Sequence, residues 1–243
     1  MKRKDFSDLE IVTQNNKEVS FEHENFIAGS PPFLRGLEST MYLQKPLKTQ
    51  LLVNFSSPEK SNSFIKEHIL KGYKSFVLDI NTATTSEINS GIFITSIDAM
   101  KIVLNEIPLK ELSITLSTNN SILTVLGLFI AATKQLEIAE ENLNLSVNLN
   151  PKNSIIDVKF HQNTVEAILN YSSKNLPKFK TISITSQITD KKIATETDLA
   201  YFLAISFEHI SYCISKGLKI DTIAPKISYN VEIGENHFLK FQK

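Results

Sequence analysis

The chain lacks the motifs that mark several familiar kinds of site. It has one cysteine, Cys213, so it cannot form an internal disulfide, and the paired spacing of a zinc knuckle is absent. Its seven glycines are scattered singly, and none completes the GxGxxG or GxxxxGK spacing that cradles phosphates. No Gly-x-Ser-x-Gly turn displays a serine nucleophile. The sequence therefore gives no support for a disulfide-stabilised or zinc-knuckle protein, for a nucleotide-binding glycine loop, or for a serine hydrolase with a Gly-x-Ser-x-Gly turn.

The chain also lacks a charge bias and long apolar runs. Its 26 lysines and arginines balance 26 acidic residues, which leaves no electrostatic footprint for nucleic acid or an anionic membrane. The richest apolar run, residues 122–132, is much shorter than the roughly 18 to 20 residues of a membrane span. The basic N-terminus leads into no apolar segment, so it is not a signal peptide. With one cysteine, these features predict a cytoplasmic protein.

What the chain does have is a regular alternation of two kinds of segment after residue 50. Residues 1–50 show little periodicity and contain Pro31-Pro32 and Lys45-Pro46, which predict an irregular N-terminal arm. Short apolar runs then predict strands at 51–55, 75–80, 112–116, 143–149, 181–185 and 226–229. Helical periodicity predicts helices at 59–71, 96–106, 121–136, 163–175 and 196–216. The alternation predicts an α/β fold with a parallel sheet.

Local signals refine this pattern without deciding the architecture. Ser57, Ser96 and Thr164 are placed as helix N-caps, and Gly217 as the end of the last helix. That helix carries an apolar series at steps of three and four: Leu199, Phe202, Leu203, Phe207, Ile210 and Ile214. About six strands are too few for a closed eight-stranded barrel. Spacing therefore allows either an open sheet or an incomplete barrel.

The chemistry-bearing residues predict no active site. The five histidines show no pair at i, i+4 that would place two metal ligands on one helix face: His23, His68, His161, His209 and His237. Cys213 lies in an apolar helix and is interpreted as a buried structural thiol. Asp79 ends the second predicted strand, where functional groups cluster, although a helix-capping or turn-forming role is favoured.

Several stretches, taken in order, carry a resemblance to one known family. Residues 28–36 read Ala-Gly-Ser-Pro-Pro-Phe-Leu-Arg-Gly, and residues 39–42 read Ser-Thr-Met-Tyr. Residues 175–184 read Asn-Leu-Pro-Lys-Phe-Lys-Thr-Ile-Ser-Ile, and residues 233–238 read Ile-Gly-Glu-Asn-His-Phe. Between them, residues 217–228 contain Gly-Leu-Lys-Ile-Asp and Ala-Pro-Lys-Ile-Ser. Together these resemble the methylmalonyl-CoA mutases over roughly residues 25–243.

The resemblance implies a partial TIM (β/α)8 barrel. It implies an N-terminal arm at 1–50 and the first six barrel strands at 51–243, with no cobalamin-binding domain in this chain. Adenosylcobalamin, the family cofactor, is carried by that domain, so this chain alone is expected to bind no cofactor and no metal. Four residues match a family segment that lines the acyl-CoA channel and are expected to bind substrate: Thr40, Met41, Tyr42 and Lys45.

Departures from the family pattern fall on its catalytic positions. The active-site tyrosine of the family corresponds to Leu52, and the second arginine of its motif corresponds to Gln50. The histidine that polarises the thioester carbonyl corresponds to Ile188, which has no proton to donate. The resemblance therefore predicts no catalytic residue in this chain.

Three functions remain open at this stage. The first is a catalytically silent, small-subunit-like chain in a heterodimer with a catalytic mutase subunit, an isomerase that interconverts methylmalonyl-CoA and succinyl-CoA. The second is a free-standing acyl-CoA-binding module or a decayed N-terminal fragment of the catalytic chain. The third is an unrelated α/β enzyme with a polar pocket at the strand tips. Open sheet edges also predict a self-oligomer as an alternative to the mutase partner.

Overall fold

The computed structural model divides the chain into two units, Met1–Lys48 and Thr49–Lys243. It describes residues 25–36, 38–44, 48–82, 91–118, 121–149, 158–180, 182–185 and 195–230. In the first unit, the described residues form successive turns and one short 3₁₀ helix, Met41–Leu43. In the second unit, strands alternate with helices along the chain.

The described part of the second unit contains seven strands, six α-helices and two short 3₁₀ helices, Glu140–Asn142 and Ala224–Lys226. The strands are β1 (Leu51–Val53), β2 (Ser75–Asn81), β3 (Ile92–Phe93), β4 (Ser113–Thr118), β5 (Asn144–Leu149), β6 (Ile182–Thr185) and β7 (Ile227–Asn230). The helices are α1 (Pro58–Leu70), α2 (Ile97–Leu104), α3 (Ile122–Gln135), α4 (Val158–Asn175), α5 (Thr195–Ser215) and α6 (Ile220–Ile223).

The strands form one parallel sheet in the order β1-β2-β4-β5-β6-β7. Each of these strands pairs with the next along the chain, so the sheet winds in one direction only. Because crossovers between parallel strands are right-handed, this order places the connecting helices on the same face. The prediction of an α/β fold is confirmed, and the arrangement is consistent with part of a (β/α)8 barrel.

The hydrophobic core lies between the helices and one face of the sheet. Alternate side chains of a strand face opposite sides, and on this face Phe76, Leu78, Leu116 and Val147 are buried. The helices contribute buried residues to the same cluster: Ile65, Met100, Val103, Phe129, Ile168 and Cys213. None of the described helices is long and apolar enough to cross a membrane.

The ends of the helices test the predicted N-caps and the predicted terminal glycine. The Ser57 hydroxyl accepts a hydrogen bond from the Lys60 amide, and the Ser96 hydroxyl accepts one from the Ala99 amide, which confirms both N-caps. Gly217 follows α5 in the left-handed region at φ 87°. The Thr164 cap is wrong, because α4 begins at Val158 and Thr164 is buried within it.

One strand was not predicted. The two residues of β3 pair with the end of β2, Ile92 beside Ile80 and Phe93 beside Asn81, beyond the point where β1 stops. The Phe93 amide donates to the Ser56 carbonyl oxygen at 3.1 Å, just after the end of β1. β3 therefore continues the edge of the sheet along β2 where β1 ends. A two-residue strand carries too little alternation for a sequence pattern to indicate it.

Candidate functional site

The sheet face opposite the core helices is rich in small polar side chains. We call it the polar sheet face and define it by residues that alternate along the strands with the apolar core residues: Ser75, Asp79, Asn81, Thr115, Ser117, Ser146, Asn148, Ser183 and Ser228. Of these, Ser75, Asn81, Thr115, Ser146 and Asn148 are buried. The interior of a (β/α)8 barrel is usually filled by bulky branched residues, so this composition departs from an ordinary packed barrel core.

Strand register aligns these side chains in rows across the sheet. One row passes from Val77 through Thr115 to Ser146. A second row contains Asp79 beside Ser117 and, further along, Asn148 beside Ser183 and Ser183 beside Ser228. The Ser183 and Ser228 hydroxyl oxygens lie 2.7 Å apart and share a hydrogen bond. The rows therefore offer hydroxyl and amide groups that can donate to or accept from a ligand.

Asp79 supplies the one carboxylate on the described strands. It lies within β2, half-buried and beside Ser117, so the turn-forming or capping role is wrong. The chain returns to it at Gly91, where φ is 95° and an added Cβ would lie 3.0 Å from the Asp79 carbonyl oxygen. Glycine is required there because the two backbones approach closely.

Gln50 and Leu52, the two residues that the sequence resemblance singles out in this segment, lie beside this face. The Gln50 amide nitrogen lies 3.4 Å from the Thr115 hydroxyl oxygen, a long hydrogen bond. Leu52 pairs with Val77 in register and is 54% exposed, although its neighbour Val53 is fully buried in the core. An isobutyl group therefore stands on this face of the sheet.

The predicted substrate-binding residues fall in the N-terminal unit. Thr40 precedes the 3₁₀ helix that begins at Met41 and includes Tyr42, so these three share one turn of chain. The Gly29 amide donates to the Gly36 carbonyl oxygen at 2.9 Å and closes the segment before them. Lys45 and Ile188 lie outside the described residues.

A metal or cobalt centre requires several ligating side chains close together. The described residues contain no group of three or more His, Cys, Asp and Glu side chains that could hold a metal ion. His68 and His209 lie on α1 and α5, and the His68 ring nitrogen Nδ1 contacts the Phe64 carbonyl oxygen of its own helix. His161 lies in α4, so none of the three described histidines is on a strand, and the described strands offer no imidazole as a cobalt ligand at the polar sheet face.

Comparison with known proteins decides the family. The family model described as methylmalonyl-CoA mutase matches residues 6–243. This chain belongs to the methylmalonyl-CoA mutase family. The methylmalonyl-CoA mutase large subunit of Porphyromonas gingivalis is 29% identical over 259 residues, which cover 96% of this chain and 35% of that protein.

Other relatives in the mutase family agree in identity and extent. The methylmalonyl-CoA mutase of Rhizobium meliloti is 28% identical over 91% of this chain and 34% of its own length. That of Escherichia coli is 28% identical over 88% of this chain and 33% of its own length. The chain thus spans about a third of the length of the curated relatives it matches.

The polar sheet face is the feature that sequence reasoning missed in this mutase-family chain. The signal was present as alternation within strands: Ser113-Ile114-Thr115-Leu116-Ser117 and Asn144-Leu145-Ser146-Val147-Asn148 place a polar residue at every second position. Polar residues were predicted only at the strand tips. The alternation extends them along the whole face, because a strand of period two presents its polar set to one side.

Proposed function

We propose that this chain is a catalytically silent component of an adenosylcobalamin-dependent mutase that interconverts methylmalonyl-CoA and succinyl-CoA. In this proposal it acts as a small subunit beside a catalytic chain, with an N-terminal arm at 1–50 and an incomplete barrel from 51 onward. The observation that carries the proposal is Leu52, a half-exposed leucine on the polar sheet face at the position of the family tyrosine. A leucine can neither donate a proton nor stabilise developing charge.

Two further features support the proposal that this chain lacks catalytic activity and works with a partner chain. The position of the family's thioester-polarising histidine is Ile188, and the described histidines lie on helices. Relatives named as mutases are about three times longer than the matched segment. The cytoplasmic location remains a prediction, which the single cysteine favours.

Co-expression with a full-length catalytic mutase subunit from the same source tests this proposal. The mixture is analysed by size exclusion with light scattering, and turnover is measured for each chain and for the complex with adenosylcobalamin. We expect co-elution at a stoichiometric mass, with no turnover by this chain alone. Separate elution would remove the small-subunit role. Turnover of methylmalonyl-CoA by this chain alone with adenosylcobalamin would contradict its silence.

A second candidate, a free-standing acyl-CoA-binding module, is favoured by the polar sheet face. Its serine, threonine and asparagine side chains are small and can hydrogen-bond the amide groups of a pantetheine chain. In this candidate Thr40, Met41, Tyr42 and Lys45 remain the proposed contacts of the N-terminal arm. Binding without turnover needs only the rows of hydroxyls and amides, so the loss of the tyrosine and histidine is tolerated.

Thermal shift with CoA and a matched pair of variants tests the second candidate. Ser117→Leu places an isobutyl group on the polar sheet face, and Ser173→Leu makes the same change at an exposed position of α4. We expect CoA to raise the melting temperature of the wild type and of Ser173→Leu, but not of Ser117→Leu. A wild type whose melting temperature does not respond to CoA would remove this candidate.

A further inference from the structure

One border of the polar sheet face is apolar. Leu52 in β1 pairs with Val77 in β2, and paired residues of neighbouring strands point to the same side of a sheet. Leu52 is 54% exposed and Val77 is half-buried, although Val53 and Leu78, the next residues along the two strands, are fully buried on the helix side. Two branched aliphatic side chains therefore lie together on the polar sheet face, outside the hydrophobic core.

A third apolar group extends this border along the edge of the sheet. Phe93 in β3 is 41% exposed and pairs with Asn81, which belongs to the polar sheet face. Its neighbour Ile92 is fully buried in the core, so the phenyl ring lies on the opposite side of β3, which is the polar sheet face. We call Leu52, Val77 and Phe93 the apolar border.

The row of side chains that begins at the apolar border becomes polar further into the sheet. In register, Leu52 and Val77 are followed by Thr115 in β4 and Ser146 in β5, both of which are buried. Neighbouring strands lie about 4.8 Å apart, so the three steps from Leu52 to Ser146 cover about 14 Å. A ligand that lies along this row meets alkyl groups at one end and hydroxyl groups at the other.

A buried amide on the same face has a hydrogen-bonding group to offer to a ligand. Asn148 is 9% exposed, and no side-chain hydrogen bond joins it to another residue in the part of the chain that the structure describes. A buried amide without a partner costs free energy, and an amide or carbonyl group of a ligand would satisfy it. The inner part of the polar sheet face therefore suits a ligand that carries hydrogen-bonding groups.

The charges of the described strands disfavour an anionic group at the apolar border. These strands contain no lysine or arginine, and their one charged residue is Asp79, which is negative and lies on the polar sheet face between Val77 and Asn81. A carboxylate on the apolar border would lose hydration without gaining a cationic partner from these strands. A methyl group at the same point would remove only alkyl surface from water, which is favourable.

We propose that the polar sheet face selects acyl-CoA thioesters whose acyl group is uncharged, branched and aliphatic, and that Leu52 sets this preference. The acyl group lies on the apolar border, and the amide groups of the pantetheine chain lie over the rows of hydroxyl and amide side chains. The inference rests on the acyl-CoA-binding candidate of the proposed function and adds the class of acyl group, which the test with CoA does not address.

Isothermal titration calorimetry of the full chain with two thioesters of similar shape tests this preference. Isobutyryl-CoA carries a methyl group where methylmalonyl-CoA carries a carboxylate. We expect isobutyryl-CoA to bind about tenfold more tightly, because it leaves no carboxylate without a partner. If CoA and both thioesters bind equally, the acyl-CoA-binding candidate stands and this inference is overturned. If none of the three binds, that candidate fails and the inference fails with it.

A matched pair of charge variants tests the role of Leu52. Leu52→Arg places a guanidinium on the apolar border, and Leu70→Arg adds the same group on α1, where Leu70 is 89% exposed. We expect Leu52→Arg to bind methylmalonyl-CoA about tenfold more tightly than the wild type does, because the guanidinium pairs with the carboxylate. Leu70→Arg should keep the wild-type ratio of the two affinities. That ratio is measured within one protein, so a loss of folded material cannot change it. A wild-type ratio in Leu52→Arg would overturn the role of Leu52.

Discussion

Asn62 in α1 donates a hydrogen bond from its side-chain amide to the carbonyl oxygen of Val103 in α2, at 2.9 Å across 41 residues of sequence. The same amide nitrogen donates to the carbonyl oxygen of Asn105 at 2.8 Å. The last carbonyl groups of a helix have no partner within it. One buried amide therefore satisfies the end of α2 and joins it to α1.

Removing this amide should destabilise the second unit. Asn62→Ala leaves both carbonyl groups without this donor, and we expect the free energy of unfolding to fall by about 1–3 kcal/mol. Urea denaturation measures the change. Ser63→Ala is the control, because Ser63 is exposed and its hydroxyl donates only to the Glu59 carbonyl oxygen of its own helix. Equal stability of the two variants would show that the tether is not needed.

The second prediction concerns Tyr171 and Glu140. The Tyr171 hydroxyl donates to a Glu140 carboxylate oxygen at 2.7 Å, and a second oxygen of that carboxylate lies 2.9 Å from Lys134 Nζ. Burial, and then the hydrogen bond to Glu140, raise the pKa of Tyr171 from 10.0 to about 12. The phenol therefore keeps its proton in the folded chain at a pH where the unfolded chain loses it.

The raised pKa of Tyr171 determines how the free energy of unfolding changes with pH. The stability that Tyr171 contributes is fully present below pH 10 and is lost as the pH rises to about 12, because the unfolded state releases its proton first. We expect Tyr171→Phe and Glu140→Gln to flatten that decline in urea denaturation curves. Glu141→Gln, an exposed neighbour, should leave it unchanged. If stability declines equally with rising pH in the wild type and all three variants, titratable groups other than Tyr171 cause the decline.

The third prediction uses two glycines with open space around them and opposite signs of φ. An added Cβ would meet nothing within 4 Å at Gly127, in the middle of α3, or at Gly72, which follows α1 at φ 89°. Gly127→Ala should stabilise the protein by about 0.5–1 kcal/mol, because alanine loses less backbone entropy in a helix. Gly72→Ala should destabilise it by about 1–2 kcal/mol through left-handed strain. Thermal unfolding of both variants checks the opposite signs.

Helices and long strands of this fold follow from the sequence, because their periodicity is carried by many residues. The helix predicted at 121–136 spans Ile122–Gln135, and the strand predicted at 75–80 spans Ser75–Asn81. Thr164 failed as a cap because a hydroxyl residue beside an apolar run is equally compatible with a helix interior. Its buried position in α4 depends on what packs there.

The candidate site was less predictable than the fold. The apolar series of α5 indicates a helix but not which of its members are covered, since that depends on neighbours distant in sequence. The polar sheet face arises from the register of five strands, and no single segment specifies register. Leu52, by contrast, is singled out by the resemblance alone, and the sheet adds its position beside Val77.

The order of strands also has a consequence for how the protein folds. Among the described strands, and leaving β3 aside, the order of strands in the sheet is the same as their order along the chain. Each strand can therefore pair as soon as the strand before it has formed. During synthesis, β2 can join β1 and then offer its free edge to β4 while later strands are still within the ribosome. The sheet can grow one strand at a time in the direction of translation, and each new helix covers the apolar face of the strands just added.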